Sequence, residues 1–144
     1  MSIYTTTTSG LYEEVTLELT SDKKEKMVMA PPPEFKGPEG YWTPEDLFSA
    51  SISSCYLLTF KALTRFKKME WIDLTVTADA TLEKTEKGLK FTKVEIKPVL
   101  TICCTMNVDP YLQLLMKAKD SCLVTASMNC EFLVIPKVKV KAKK

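Results

Sequence analysis

A segment of apolar side chains between Gly40 and Phe66 constrains the fold more than any other part of the sequence. Thr43 is a natural N-cap residue, Pro44 suits the first helical position, and Asp46 completes a pair that imitates a capping box. The apolar residues beyond the cap are Leu47, Phe48, Ala50, Ile52, Tyr56, Leu57, Leu58, Phe60, Ala62, Leu63 and Phe66. A helix that is apolar on nearly every face is buried on all sides. We therefore expect a sheet to cover this helix, or a second subunit to share it.

The patterns on either side of this helix predict strands and one further helix. In chain order, the predicted elements are strands over 3–8, 12–20 and 27–29, a loop over 30–40, the helix over 43–66, strands over 74–82 and 89–102, a helix from 109 to about 122, and a strand over 130–135. The order β-β-β-α-β-β-α-β is that of an α+β protein. A chain of 144 residues fits a single domain over 1–144.

The sequence also predicts a bulge in one strand and the start of the second helix. The alternation of apolar residues changes phase between Phe91 and Val94, which predicts a β-bulge in that strand. Asp109 and Pro110 predict the N-cap and the first residue of the second helix. The residues predicted to share one face of that helix are Leu112, Leu115, Met116 and Lys119.

Charge and hydropathy exclude several classes of function. The net charge is only +2 and Arg65 is the only arginine, so we expect neither a nucleic-acid partner nor an acidic membrane surface. The N-terminal residues lack the basic start and apolar run of a signal peptide. No segment reaches the roughly 20 consecutive apolar residues of a membrane span. We therefore expect a cytoplasmic protein with no membrane partner.

The absence of histidine and the pattern of cysteines narrow the chemistry further. Without histidine there is no Ser-His or Cys-His pair and no HExxH zinc site. None of the five cysteines forms a CxxC pair, which makes a thiolate zinc site unexpected. An odd number of cysteines without a secretion signal indicates free thiols. We therefore expect thiol chemistry with no metal and no cofactor.

The cysteines differ in their surroundings. A free cysteine most often behaves as a small buried apolar side chain, and this interpretation fits Cys130. Cys103 and Cys104 are neighbours at a strand end, so we expect them to point to opposite faces and to stay inert. Cys55 and Cys122 differ because each lies on a helix among small or polar residues. Their spacing alone does not show that they meet.

The segment GYWTPEDLFSASISSCYLLTFKAL resembles the signature helix of the OsmC/Ohr family, the osmotically inducible and organic hydroperoxide resistance proteins. That helix has a Pro-Glu-x-Leu entry and a cysteine ten residues after the glutamate, matched here by Glu45 and Cys55. A second landmark, a helix that ends in cysteine before the last strand, falls on 117–125 with Cys122. The resemblance covers essentially the whole chain. It implies antiparallel sheets wrapped around a long central helix, in an intertwined dimer.

The resemblance also implies an activity. A family member would be a thiol peroxidase, in which Cys55 is the peroxidatic thiolate and Cys122 is the resolving thiol. Its partners would be a second copy of the chain, a small-molecule hydroperoxide and an external dithiol that reduces the disulfide. Apolar residues near Cys55 would suit an organic hydroperoxide, and the candidates are Trp42, Phe48 and Tyr56. The ordinary alternative for Phe48 and Tyr56 is a place in the core.

The sequence departs from the family where the thiolate needs a cation. Cys55 is too far from the helix N-terminus for the dipole to lower its pKa, so a positive charge must do so. The family supplies an arginine that its glutamate, matched by Glu45, holds in place; this chain has none in 9–12. Lys36, or Arg65 from a partner subunit, are open alternatives. Glu45 itself fits equally well as a first-turn carboxylate that stabilises the helix dipole.

Two functions therefore compete. The first is a peroxide reductase that prefers organic hydroperoxides and uses Cys55 and Cys122. The second is an OsmC-like protein that is not a peroxidase and binds an apolar or acyl-type ligand at the dimer interface. The retained cysteine pair favours the first function, whereas the missing arginine favours the second.

Overall fold

The computed structural model of the chain describes residues 1–142, and its backbone falls into two compact units, Met1–Phe48 and Ser49–Lys144. The prediction of a single domain over 1–144 therefore stays a prediction, and its last two residues lie outside the described part. Helices and antiparallel strands occur together, so the predicted α+β class is confirmed.

The first unit contains a small antiparallel sheet. Its strands are β1 (Thr7–Gly10), β2 (Leu17–Thr20) and β3 (Met27–Met29), and β2 lies in the middle. All three strands were expected, but β1 and β2 are shorter than their patterns predicted. A short 3-10 helix at Pro33–Phe35 follows in the proline-rich loop.

The long helix begins as its sequence predicts. This helix, α1, spans Pro44–Phe66. The Thr43 hydroxyl accepts a hydrogen bond of 3.0 Å from the Asp46 N–H, and Asp46 accepts one of 3.1 Å from the Thr43 N–H. These reciprocal bonds satisfy two donors that the first turn leaves unpaired. The capping-box prediction is therefore confirmed.

The burial of α1 differs from the prediction that all its faces are covered. The buried residues lie four apart on a single stripe; they are Ile52, Tyr56, Phe60 and Thr64. Leu58 is 63% exposed and Phe66 is 86% exposed. A spacing of four keeps side chains on one face of a helix, so one chain covers that face and leaves other apolar side chains in contact with solvent.

The sequence predicted no segment apolar enough to span a membrane. Helix α1 nevertheless comes close to the length and hydropathy of such a span. An 18-residue window of α1 has a mean hydropathy of 1.2, and 22% of that window is buried. A core helix of a soluble protein meets the same criterion, so this one helix is weak evidence for a membrane. The cytoplasmic location stays a prediction.

The second unit is built on a long β-hairpin. Strand β4 (Asp73–Thr85) pairs antiparallel with β5 (Gly88–Cys103). The pairing register shifts after Thr81, which faces Lys93, because Thr92 is an extra residue on β5. This shift is the bulge that the change of apolar phase predicts.

Two helices and two short strands complete the second unit. They are α2 (Val108–Ser121), α3 (Leu123–Ala126), β6 (Glu131–Val134) and β7 (Lys137–Lys141). Both β6 and β7 pair in parallel with β5, one after the other along the same edge. The sheet is therefore mixed, whereas the antiparallel pattern expected from the resemblance holds for β1–β3 and for β4 with β5.

Helix α2 differs from its prediction in its start and its buried face. Its N-cap is Asn107, whose side-chain oxygen accepts a hydrogen bond of 3.2 Å from the Asp109 N–H. The sequence reading placed the cap two residues too late because Asp109-Pro110 is itself a typical helix start. The buried residues are Tyr111, Leu114, Leu115 and Ala118, and Met116 is exposed. Of the four residues predicted to share one face, only Leu115 is buried.

Three contacts hold α1 against the other elements of the second unit. The Ser49 hydroxyl donates a hydrogen bond of 2.7 Å to the Ala78 carbonyl of β4. The Phe60 ring meets the Trp71 ring edge-on, with centroids 5.8 Å apart. The Tyr56 hydroxyl donates a hydrogen bond of 2.6 Å to a carbonyl of α2. These contacts bring the middle of α1 alongside α2.

Candidate active site

Helices α1 and α2 bring together the two cysteines that the family resemblance singles out. Cys55 lies in the middle of α1, and Cys122 lies at the junction where α2 ends and α3 begins. Their thiol groups lie close enough for each to shift the pKa of the other. Both are free thiols in this structure. The spacing of Cys55 and Cys122 in the sequence does not show that they meet, but in the folded chain they are neighbours.

The sulfur of Cys122 is buried among polar groups. Cys122 has 0% exposure, and this burial acts to raise the pKa of its thiol. The nearby Cys55 thiol, the Thr125 backbone and side chain, and the Val124 backbone favour the thiolate and lower that pKa. Together these groups outweigh burial, so the pKa of Cys122 is lowered.

The pKa of Cys55 moves in the opposite direction. Burial raises it most, and the neighbouring Cys122 thiol raises it further. The Val124 N–H and the Thr59 hydroxyl, whose oxygen is 4.0 Å from the Cys55 sulfur, lower it less. No lysine or arginine of the described chain is among the main causes. Cys55, which was predicted to be the ionised thiol, is therefore less acidic than Cys122. The cation that the reaction requires does not act on Cys55 here.

The opposite pKa shifts of Cys55 and Cys122 predict how the alkylation rate of Cys55 depends on pH. Cys122→Ser removes one of the two main influences that hold the pKa of Cys55 above its ordinary value of 9.0. In this variant, we expect the rate of Cys55 alkylation by iodoacetamide to rise at a lower pH than in the native protein. Quantitative peptide mass spectrometry between pH 6 and 10 gives both profiles. Identical profiles would contradict an influence of Cys122 on the pKa of Cys55.

The sequence reading missed two residues beside the Cys122 sulfur. Val124 and Thr125 belong to α3, a four-residue helix in a segment where the sequence reading predicted no element. Thr125 is buried, and its hydroxyl donates to the Cys122 carbonyl at 3.0 Å.

Tyr56, a predicted substrate contact, lies in the core. Its side chain has 0% exposure, and its hydroxyl bonds the Leu115 carbonyl. Burial raises the pKa of Tyr56. The side chain therefore presents no surface to a substrate in this structure, in agreement with the alternative of a core residue.

Glu45, Trp42 and Phe48 lie in the first unit. Trp42 is 54% exposed, and its carbonyl accepts a hydrogen bond of 3.0 Å from the Ala30 N–H. Phe48 is half-buried. One carboxylate oxygen of Glu45, Oε1, is buried without a hydrogen-bond partner in the described residues. A buried carboxylate oxygen normally has a partner, so this atom is suited to a cation. The roles of these three residues stay predictions.

The described residues include no group of three or more histidine, cysteine, aspartate or glutamate side chains placed to hold a metal ion. The expectation of a protein without metal or cofactor stays a prediction. The chemistry available at the site is that of two thiols.

The fold and the site define an α+β protein that carries a pair of interacting thiols. Residues 37–135 match the family model described as OsmC-like protein. That match spans more than half of the chain, so the protein belongs to the OsmC/Ohr family. No curated protein sequence matches the chain.

Solved structures show the same fold. An OsmC-like protein of Vibrio cholerae is 20% identical, with a TM-score of 0.87 over 94% of this chain and 99% of that one. An organic hydroperoxide resistance protein of Legionella pneumophila is 25% identical, with a TM-score of 0.74 over 96% and 99% of the two chains. One from Elizabethkingia anophelis is 20% identical, with a TM-score of 0.78 over 98% of each.

Proposed function

We propose that this protein is a thiol-dependent peroxide reductase that prefers organic hydroperoxides. The observation that carries the proposal is the proximity of the Cys55 and Cys122 thiols, each of which shifts the pKa of the other. Neighbouring thiols can form a disulfide once one of them is oxidised. The similarity to organic hydroperoxide resistance proteins supports the choice of substrate class.

The reaction proceeds in two steps. The Cys55 thiolate attacks the outer oxygen of the hydroperoxide, the O–O bond breaks, and the alkoxide leaves as an alcohol after taking a proton. Cys55 is then a sulfenic acid. The Cys122 thiolate attacks that sulfur, a disulfide forms, and hydroxide leaves. An external dithiol reduces the disulfide by exchange and restores both thiols.

The exposure and the pKa of the two thiols indicate which cysteine reacts with the peroxide and which one resolves the sulfenic acid. Cys55 is partly exposed, so a peroxide can reach it, whereas Cys122 is enclosed. The lowered pKa of Cys122 makes it an effective resolving thiolate. Cys55 needs a cation before it can act first. The unpartnered oxygen of Glu45 fits a carboxylate that holds this cation, for which Lys36 and Arg65 of the partner subunit remain the alternatives.

Disulfide mapping tests the proposal. We expect about one equivalent of cumene hydroperoxide to convert the reduced protein rapidly to a form with a Cys55–Cys122 disulfide. Digestion without reduction, followed by mass spectrometry, identifies the bond. Hydrogen peroxide at the same concentration should react more slowly. Slow, scattered oxidation of all the cysteines would overturn the proposal.

A second function has one observation in its favour. The raised pKa of Cys55 fits a family member that is not a peroxidase and instead binds an apolar or acyl-type ligand at the dimer interface. Such a protein would show the scattered oxidation described above. It would also bind a fatty-acyl probe in a saturable way without consuming peroxide.

The exposed apolar residues of α1 support assembly with a second copy of the chain. Leu58 and Phe66 lie eight residues apart on the same face of α1 and are largely exposed. We expect the native protein to be a homodimer and Leu58→Lys to weaken it by about 10-fold or more, because a buried lysine must lose its hydration. Sedimentation equilibrium measures both, with Thr77→Lys at an exposed position of β4 as the charge-matched control. A native monomer at micromolar concentration would contradict this prediction.

A further inference from the structure

A second pair of thiols, Cys103 and Cys104, lies outside the candidate active site. The sequence reading expected these neighbours to point to opposite faces, as adjacent residues of a strand do. Strand β5 ends at Cys103, however, and the chain turns there, with a hydrogen bond of 3.0 Å from the Met106 N–H to the Cys103 carbonyl. The Cys104 thiol lies near enough to Cys103 to help lower the pKa of the Cys103 thiol.

The backbone at this pair is fixed on both sides. Cys103 pairs with Lys141 of β7 in the sheet register. The Cys104 N–H donates a hydrogen bond of 3.1 Å to the Lys141 carbonyl. The sheet edge and the turn therefore fix the backbone of both residues, and the two thiols project from adjacent positions of that fixed backbone.

The turn also favours the thiolate. The Thr105 hydroxyl lies 3.5 Å from the Cys103 sulfur, to which it donates a hydrogen bond. This bond and one from the Thr105 N–H lower the pKa of Cys103, burial opposes them, and the Cys104 thiol lowers it further. Cys104 is exposed and Cys103 is partly exposed, so reagents in solution can reach both.

The same geometry disfavours a disulfide within the pair. Neighbouring Cα atoms joined by a trans peptide are about 3.8 Å apart. Disulfides usually join Cα atoms about 4.4–6.8 Å apart, so closing this one requires distortion. A third atom that binds both sulfurs needs no S–S bond, so it avoids this distortion. Thiolates are the preferred ligands of soft ions.

We propose that Cys103 and Cys104 form a chelating site for trivalent arsenic, separate from the peroxide-reactive pair. In the reaction with an arsine oxide, two As–S bonds form and the arsenic–oxygen bond breaks. The two thiol protons leave with that oxygen as one molecule of water, and no atom is oxidised or reduced. The proposal does not depend on the peroxidase function.

Phenylarsine oxide tests the site in the full chain. The starting protein carries Cys55→Ser and Cys122→Ser, which removes the other close pair of thiols. We expect one adduct per chain by intact-mass spectrometry, with the loss of one water, that resists excess monothiol and is released by a dithiol. Cys103→Ser or Cys104→Ser should each weaken binding by at least about 100-fold, because a second sulfur no longer binds within the same molecule.

Two further variants keep the test decisive. Cys130→Ser removes another half-buried thiol and should leave the adduct unchanged. Thr105→Val keeps both thiols but removes the hydroxyl, so the adduct should form more slowly and still contain two As–S bonds. Thermal unfolding shows whether each variant is folded. Adduct retention in folded Cys103→Ser or Cys104→Ser, or an adduct that monothiol displaces from the starting protein, would overturn the proposal.

Discussion

Replacing Cys55 with serine is expected to lower the consumption of cumene hydroperoxide by roughly 10³-fold or more, because the variant lacks the atom that attacks the O–O bond. Serine is close in size to cysteine, and Cys55 is only partly buried, so the fold should be retained. The measurement is the steady-state loss of peroxide with dithiothreitol as the reductant. Circular dichroism before and after thermal unfolding confirms that the variant is folded.

Cys130→Ser is the matched control for this loss. Cys130 is another half-buried thiol of the second unit, and burial raises its pKa as it raises that of Cys55. Its removal should leave peroxide consumption unchanged within a factor of about two. Equal losses in the two variants would assign the consumption to general thiol oxidation. Full activity in Cys55→Ser would place the peroxidatic sulfur elsewhere.

Local chemistry made much of the fold predictable. The capping box at Thr43 and Asp46 fixes the start of α1, because its two hydrogen bonds involve residues only three positions apart. The bulge at Thr92 is similarly visible as a change of apolar phase within one strand. Such signals depend on neighbouring residues, so a single sequence contains them. The start of α2 was predicted two residues too late because Asn107 and Asp109 are both good N-cap residues.

Features that depend on distant contacts were not predictable in the same way. Composition showed that α1 is apolar, but which stripe is buried depends on where β4 and α2 contact it. The acidity of the two thiols depends on the Val124 and Thr125 N–H groups, which α3 directs at Cys122. The parallel pairing of β6 and β7 with β5 is likewise a long-range choice. The family resemblance identified the cysteine pair, but the directions of the two pKa shifts follow only from the three-dimensional structure.

Replacing Cys122 with serine is expected to separate the two half-reactions. In Cys122→Ser, cumene hydroperoxide should still oxidise Cys55, because the first step needs only the partly exposed thiol. The rate of that step should equal or exceed the native rate, since the Cys122 thiol that helps to raise the pKa of Cys55 is lost. The product should remain a sulfenic acid, which dimedone traps and mass spectrometry detects.

Turnover with a dithiol distinguishes this variant from one that is merely unfolded. No disulfide between positions 55 and 122 can form in Cys122→Ser, so steady-state turnover should fall by about 100-fold or more while dimedone labelling of Cys55 rises. An unfolded protein would label all its remaining cysteines alike. Native turnover in Cys122→Ser would show that another thiol resolves the sulfenic acid. Loss of both labelling and turnover in a folded variant would show that Cys122 is needed before the peroxide reacts, and would exclude the assigned division of roles.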